Sequence, residues 1–362
     1  MSYIRTLISL LPLVFVGIPV TQAQQTSPVT AIVESWMASP HGDRKAEAFV
    51  HWNKEGAVPE DCATCHSSSG MLDFLGADGS AAGKVDAPAS IGSSVDCVAC
   101  HNQAAHDLKQ ITFPSGEVMT EASPSAICMV CHQGRASSDS VNAAIAGAED
   151  DTVNGDLGFV NVHYAASAAT MFGGSVRGGY QYEGKAYAER FAHVPDFNTC
   201  TTCHNPHTTK VVAIDQCVTC HKGAETVRDI RTTPADVDGD GNATEGIGAE
   251  ISTLHEKLGD AIRLYAKDVS GKPVAYDSHA YPYFFNDLNG NGTADPDEAK
   301  FPNSYKSWTP RLLRAAYNYQ FLAKEPGAYA HNPRYAIQLA YDSLEDLASK
   351  ATAVDMAGMT RP

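Results

Sequence analysis

The sequence predicts a mainly α fold with much irregular loop and a helical C-terminal part, and three observations predict it. Between residues 24 and 221, turn-forming Gly, Ser, Asp and Pro cut the chain into pieces that suit short helices joined by loops. From residue 222 onward, apolar residues recur at helical spacing. One short cysteine motif occurs five times in the first part and never in the second, so the first part is organised by something other than a large aliphatic core.

The helical elements of the tail follow from their patterns. Ile251, Leu254, Leu258, Ala261, Ile262 and Tyr265 share one face of a helix predicted over residues 250–266. Thr309-Pro310 is a cap followed by proline at the first helical position, and Pro326-Gly327 closes the helix that begins there. Asn332-Pro333 opens another, with Ile337, Ala340, Tyr341, Leu344 and Leu347 on one side. Residues 222–362 therefore read as a mostly helical region folded back onto residues 24–221.

The chain has 10 cysteines, and the motif uses all of them. They are Cys62 and Cys65 before His66, Cys97 and Cys100 before His101, Cys128 and Cys131 before His132, Cys200 and Cys203 before His204, and Cys217 and Cys220 before His221. Each reads C-x-x-C-H, the signature of covalent heme c attachment. Two thiols at this spacing add to the two vinyl groups of one porphyrin, and the next residue, histidine, becomes the proximal iron ligand. Disulfides give no reason for histidine to follow every pair. Zinc sites use paired groups, which five cannot form evenly. A thioredoxin-like site needs only one. Five hemes in so short a stretch must pack against one another, and the motifs beginning at Cys200 and Cys217 are the closest in sequence.

Fourteen histidines less the five proximal ones leave nine for the opposite face of each iron. His163, His193, His207 and His331 rank first by local context. His41 and His51, ahead of the first motif, compete for the remaining place. His255 lies beside the apolar face of its helix, and His106 and His279 rank lowest. Methionine is the other ordinary ligand, but Met129 and Met171 are no better placed, so two histidines per iron and low potentials are expected.

Two acidic loops suggest calcium. Asp287, Asn289, Asn291, Thr293, Asp295 and Glu298 fall at the oxygen-donor positions of a twelve-residue loop, with Gly292 at its sixth place. Asp236, Asp238, Asp240 and Asn242 repeat the pattern without an acid at the twelfth, for which Glu245 or Glu250 would substitute. The alternative is a pair of polar turns, which the same residues favour.

Residues 1–23 read as a secretory leader: Arg5 in a positive start, an apolar run over 7–20, and Thr21-Gln22-Ala23 at the cleavage site. The run is shorter than the roughly 20 residues of a spanning helix, so an exported protein with no membrane span is expected. The net charge of −16 argues against nucleic acid as a partner, because both are anionic.

The five motifs, the element Cys203-His204-Asn205-Pro206-His207 and the element Ala330-His331-Asn332-Pro333-Arg334-Tyr335 together resemble the multiheme c-type cytochromes of bacterial respiration. Over roughly residues 36–350 the chain looks most like the pentaheme and polyheme cytochromes of metal-reducing bacteria. That resemblance implies electron transfer in the periplasm or outside the cell, to other redox proteins or an extracellular acceptor, without a catalytic residue. Some relatives form homo-oligomers or heme-stacked filaments. The rival class is a pentaheme reductase of nitrite, hydroxylamine or a sulfur oxyanion. The ammonia-forming nitrite reductases are similar in heme count and in carrying calcium, but they usually replace one proximal histidine with lysine. Here all five motifs end in histidine, and the chain is shorter.

Overall fold

A computed structural model describes residues 27–120, 124–231 and 233–362. The expected leader lies outside the described residues. In chain order, α1 (Pro28–Met37) and α2 (Glu47–Val50) precede the first motif, which lies on α3 (Glu60–His66) and is followed by α4 (Ser68–Phe74). The second and third motifs lie on α5 (Cys97–Cys100) and α7 (Ala126–Cys131), with α6 (Gln103–Asp107) between them. Next come α8 (Ser138–Ile145), α9 (Ser167–Phe172) and α10 (Cys200–Cys203), which carries the fourth motif. The fifth follows a single 3₁₀ turn at Ile214–Gln216. Short helices joined by loops were expected: four motifs are themselves helical, α4, α6 and α8 follow the first three, and among the described residues no α-helix follows the fourth or fifth before residue 247.

The tail contributes α11 (Ile247–Asp268), α12 (Pro310–Ala323), α13 (Ala328–His331) and α14 (Pro333–Ala348). Their ends follow the capping logic. Thr309 Oγ1 accepts the N–H of Leu312, and Asn332 Oδ1 accepts that of Tyr335, each ahead of a proline that has no N–H to satisfy. In α11, Leu254, Leu258, Ala261, Ile262 and Tyr265 are all buried, as their spacing requires. Strand is confined to three two-stranded antiparallel ribbons among the described residues; the longest pairs β1 (Val274–Tyr276) with β2 (Phe284–Asn286).

The helix α12 is buried all round, which its sequence alone did not announce, since Arg311, Arg314, Asn318 and Gln320 sit among its apolar residues. Burying such groups is tolerable only if each finds a partner. Asn318 accepts the N–H of Tyr180 and donates to the Tyr180 carbonyl and to Ser343. Tyr317 donates to the carbonyl of Gly178 at 2.7 Å. Arg311 pairs with Asp151 and Asp346, and Arg314 with Asp150 and Asp346. These bonds lock α12 to the segment between the third and fourth motifs. There a Cβ on Gly179 would stand 2.3 Å from Leu339, so only glycine allows α14 its approach. One buried apolar cluster accordingly runs from Met71 to Ala351.

Candidate heme and cation sites

The cysteine motifs owe their geometry to a single helical turn. Three-residue spacing puts both thiols on one side of α3, α5, α7 and α10. The N–H of the motif histidine bonds back to the carbonyl of the first cysteine in the last four motifs, at 2.8 Å for His101, 3.1 Å for His132, 2.8 Å for His204 and 2.9 Å for His221. The fifth motif therefore keeps the same local turn although it is not helical.

None of the ten cysteines is in a disulfide. Their settings differ. Cys62, Cys65, Cys128, Cys131, Cys200, Cys203 and Cys217 are half-buried, whereas Cys97, Cys100 and Cys220 are exposed. Cys220 is exposed because the fifth motif follows a lone 3₁₀ turn, and the turn and loop after it leave the thiol at the surface.

Each motif histidine faces one histidine from elsewhere in the chain. Ring centres are 5.8 Å apart for His66 and His163, and 6.1 Å for His101 and His207. They are 6.2 Å for His132 and His41, 6.2 Å for His204 and His331, and 6.0 Å for His221 and His193. An imidazole nitrogen bonds a metal at about 2 Å, and each ring centre lies about 1 Å behind its nitrogen, so two rings on opposite sides of one iron have centres about 6 Å apart. The residues present fit a heme iron between each pair.

The supporting groups fit as well. Nδ1 of His66 donates to the carbonyl of Ala48 at 2.7 Å, and Nδ1 of His132 to that of Ala165 at 3.1 Å. Each bond leaves Nε2 as the free donor toward a metal. Burial, then the charges of His66, Arg135 and Lys324, hold His163 down to about 4, so its imidazole is neutral at pH 7. His163 and Ala165 both have positive φ, 77° and 49°, an arrangement L-residues adopt only when their surroundings impose it. This one loop presents a ring to His66 and a carbonyl to His132.

Beside His101 lies an open cavity of about 500 Å³, lined by Cys100, Ala105, His106, Leu108 and Ile127 among others, within the range of ligand pockets. Cys65 lies beside Cys131, and Cys128 beside Cys200. The third motif thus adjoins the first and the fourth, which spacing along the chain did not reveal.

The other histidines have different settings. His51 is exposed and bonds Glu47 at 2.9 Å, so it faces no motif histidine, and His41 holds that place. His255 is a core residue, stacked on Tyr319 at 4.1 Å and bonded to its carbonyl. His106 and His279 are exposed.

The two acidic loops fold alike. Asp287 accepts the N–H groups of Gly290 and Gly292 at 2.7 and 2.8 Å, and Asp236 accepts those of Gly239 and Gly241 at the same two distances. Glu298 accepts the N–H of Leu288 at 2.8 Å, folding the twelfth position back over the first, and Asp295 receives the side-chain amides of Asn289 and Asn291. In the other loop Glu250, from α11, performs the same closure on Val237 at 2.7 Å. Glu245 also joins: the carboxylates of Asp236, Asp238 and Glu250, and those of Asp238, Asp240 and Glu245, each lie within 4.8 Å of one another. Oδ2 of Asp238 and Oε1 of Glu245 are buried without a hydrogen-bond partner. Burial pushes both acids up, and neighbouring carboxylates add to it. An orphaned buried oxygen within such a cluster fits a cation.

No helix among the described residues is long and apolar enough to cross a membrane. No known protein family's profile matches the chain, and no solved structure is similar to it. Two curated proteins of Geobacter sulfurreducens are. The C-type polyheme cytochrome OmcB is 29% identical over 87% of this chain and 47% of its own length. The C-type polyheme cytochrome OmcC is 28% identical over 90% of this chain and 48% of its own. The chain spans about half the length of these relatives. With a heme-attachment motif at every cysteine, the chain is similar over most of its length to these C-type polyheme cytochromes.

Proposed function

We propose that this chain is an exported electron carrier that holds five c-type hemes, one at each motif, with every iron clamped between two histidines. The observation that carries the reading is the one-to-one pairing of the five motif histidines with His41, His163, His193, His207 and His331 at a common spacing of 5.8 to 6.2 Å. Bound heme c supplies a one-electron iron couple. The ten cysteines would hold the rings covalently, and the paired histidines would ligate the irons. The cysteine contacts between the first, third and fourth motifs favour rings close enough for electrons to pass along them. The exposed thiols of Cys97, Cys100 and Cys220 favour the second and fifth rings as the ones nearest the surface, where electrons enter and leave.

Substrate reduction requires an iron with an open position, and the opposed imidazoles leave none. The polyheme relatives and the leader pattern over residues 1–23 support work outside the cytoplasm, with other redox proteins or an extracellular acceptor as partners. In this reading calcium occupies both acidic loops. It pins α11 through Glu250 and the hairpin β1–β2 through Asp287, and so steadies the tail that carries His331.

The test is a denatured mass together with a spin-state count on the purified protein. The reading expects a mass increment of five hemes and low-spin iron alone. A stoichiometric high-spin heme with rapid turnover of nitrite, hydroxylamine or a sulfur oxyanion would make the protein a reductase instead.

A further inference from the structure

Of the ten paired histidines, His331 alone has its Nδ1 on a carboxylate among the described residues. That carboxylate is Glu325, 2.7 Å away with a side chain only 1% exposed. The same Oε1 accepts the N–H of Gly327 at 3.1 Å, while Oε2 is buried without a partner. A Cβ on Gly327 would stand 2.7 Å from Cε1 of His331, so glycine is what lets the ring lie against this turn. Where His66 and His132 have an Nδ1 partner, it is a neutral backbone carbonyl.

We propose that Glu325 is a positioning residue that tunes one heme of the set, the one held by His204 and His331. The inference rests on the reading that these two histidines share an iron. By taking the Nδ1 proton into a hydrogen bond, Glu325 fixes the tautomer that leaves Nε2 facing the iron, and it raises the basicity of that nitrogen. Its negative charge, little screened at this depth, favours the ferric over the ferrous state. Both effects lower the reduction potential of this heme relative to one whose ligands bond only to backbone carbonyls.

The experiment is an EPR-monitored redox titration of the full holoprotein and its variants. Glu325→Gln keeps the size and removes the charge. It is expected to raise the midpoint of a single heme by tenfold or more in its reduction constant, about 59 mV for one electron. The heme count and the low-spin spectrum are expected to stay intact. Glu325→Asp keeps the charge but lengthens the contact, and should shift the same heme in the same direction by less, so it carries the test if the glutamine variant does not fold. Unchanged midpoints in the variants that fold would overturn the role of Glu325 and leave the ligation standing. If His331→Ala left every heme low-spin, the ligation itself would fall, and the tuning with it.

Discussion

The imidazoles of His101 and His207 face each other with centres 6.1 Å apart and planes only 7° from parallel. His66 and His163, at nearly the same separation, are crossed by 78°. Two parallel imidazoles act on the same iron d-orbital and separate it from its partner, whereas crossed rings act on both and leave them nearly equal in energy. The low-spin EPR spectrum is therefore expected to hold at least two classes, one rhombic and one highly anisotropic. His207→Ala should remove the rhombic signal, and His163→Ala the highly anisotropic one.

The pairing also separates histidines that local context alone left in competition. Alanine at His41, His163, His193, His207 or His331 is expected to turn one heme high-spin in each case, read by optical and EPR spectra. His51→Ala should leave every heme low-spin, because His51 bonds Glu47 at the surface. A high-spin heme in His51→Ala with none in His41→Ala would reverse the assignment.

The acidic loops predict a calcium-dependent melting curve. Chelation should lower the Tm of the wild type, and two double variants should each remove part of that dependence: Asp238→Asn with Glu250→Gln, and Asp287→Ala with Glu298→Ala. Without a cation the orphaned oxygen of Asp238 is a burial cost of about 1–3 kcal/mol. Removing its charge should therefore destabilise the calcium-loaded protein and spare the chelated one. A wild-type Tm indifferent to calcium would dismiss both sites.

The ion pairs on α12 set a pH dependence. Burial alone would raise Asp151, but hydrogen bonds from Arg311 and Tyr265 outweigh it and hold the acid at about 2, against an ordinary value of 3.8. A carboxyl held below its unfolded value stabilises the fold fully above about pH 4 and loses that stabilisation as pH falls through about 2. Asp346, shifted upward by burial despite both guanidiniums, works in the opposite direction. Asp151→Asn is therefore expected to lower Tm at pH 7, and the gap from wild type should close between pH 4 and pH 2. A gap independent of pH would assign Asp151 no electrostatic role.

Capping was legible in the sequence because it is local: Thr309-Pro310 and Asn332-Pro333 mark helix starts that the structure keeps. Long-range selection was less legible. His41 and His51 have equally suggestive neighbours, and only the packing of α1 and α2 decides which one meets His132. Glu325 was not read at all: a single glutamate before Pro326-Gly327 carries no signal until the turn brings it onto His331. The contact between Cys65 and Cys131 was likewise hidden, since adjacent motifs along a chain need not be neighbours in space. The surface position of Cys220 was hidden for the same reason, because spacing places a thiol on a turn without saying what covers that turn. Position 12 of the first acidic loop failed to match because its glutamate, Glu250, comes from a helix outside the loop.

The histidine pairs join segments that are remote along the chain: His41 to His132, His66 to His163, His101 to His207, and His204 to His331. With iron between them, such pairs act as cross-links, each withdrawing loop-closure entropy from the unfolded chain as a disulfide does. The loops interleave: the one closed by His66 and His163 begins inside that of His41 and His132 and ends beyond it. Such a chain cannot shed one segment at a time. In this reading the bound cofactors would double as the staples of its topology.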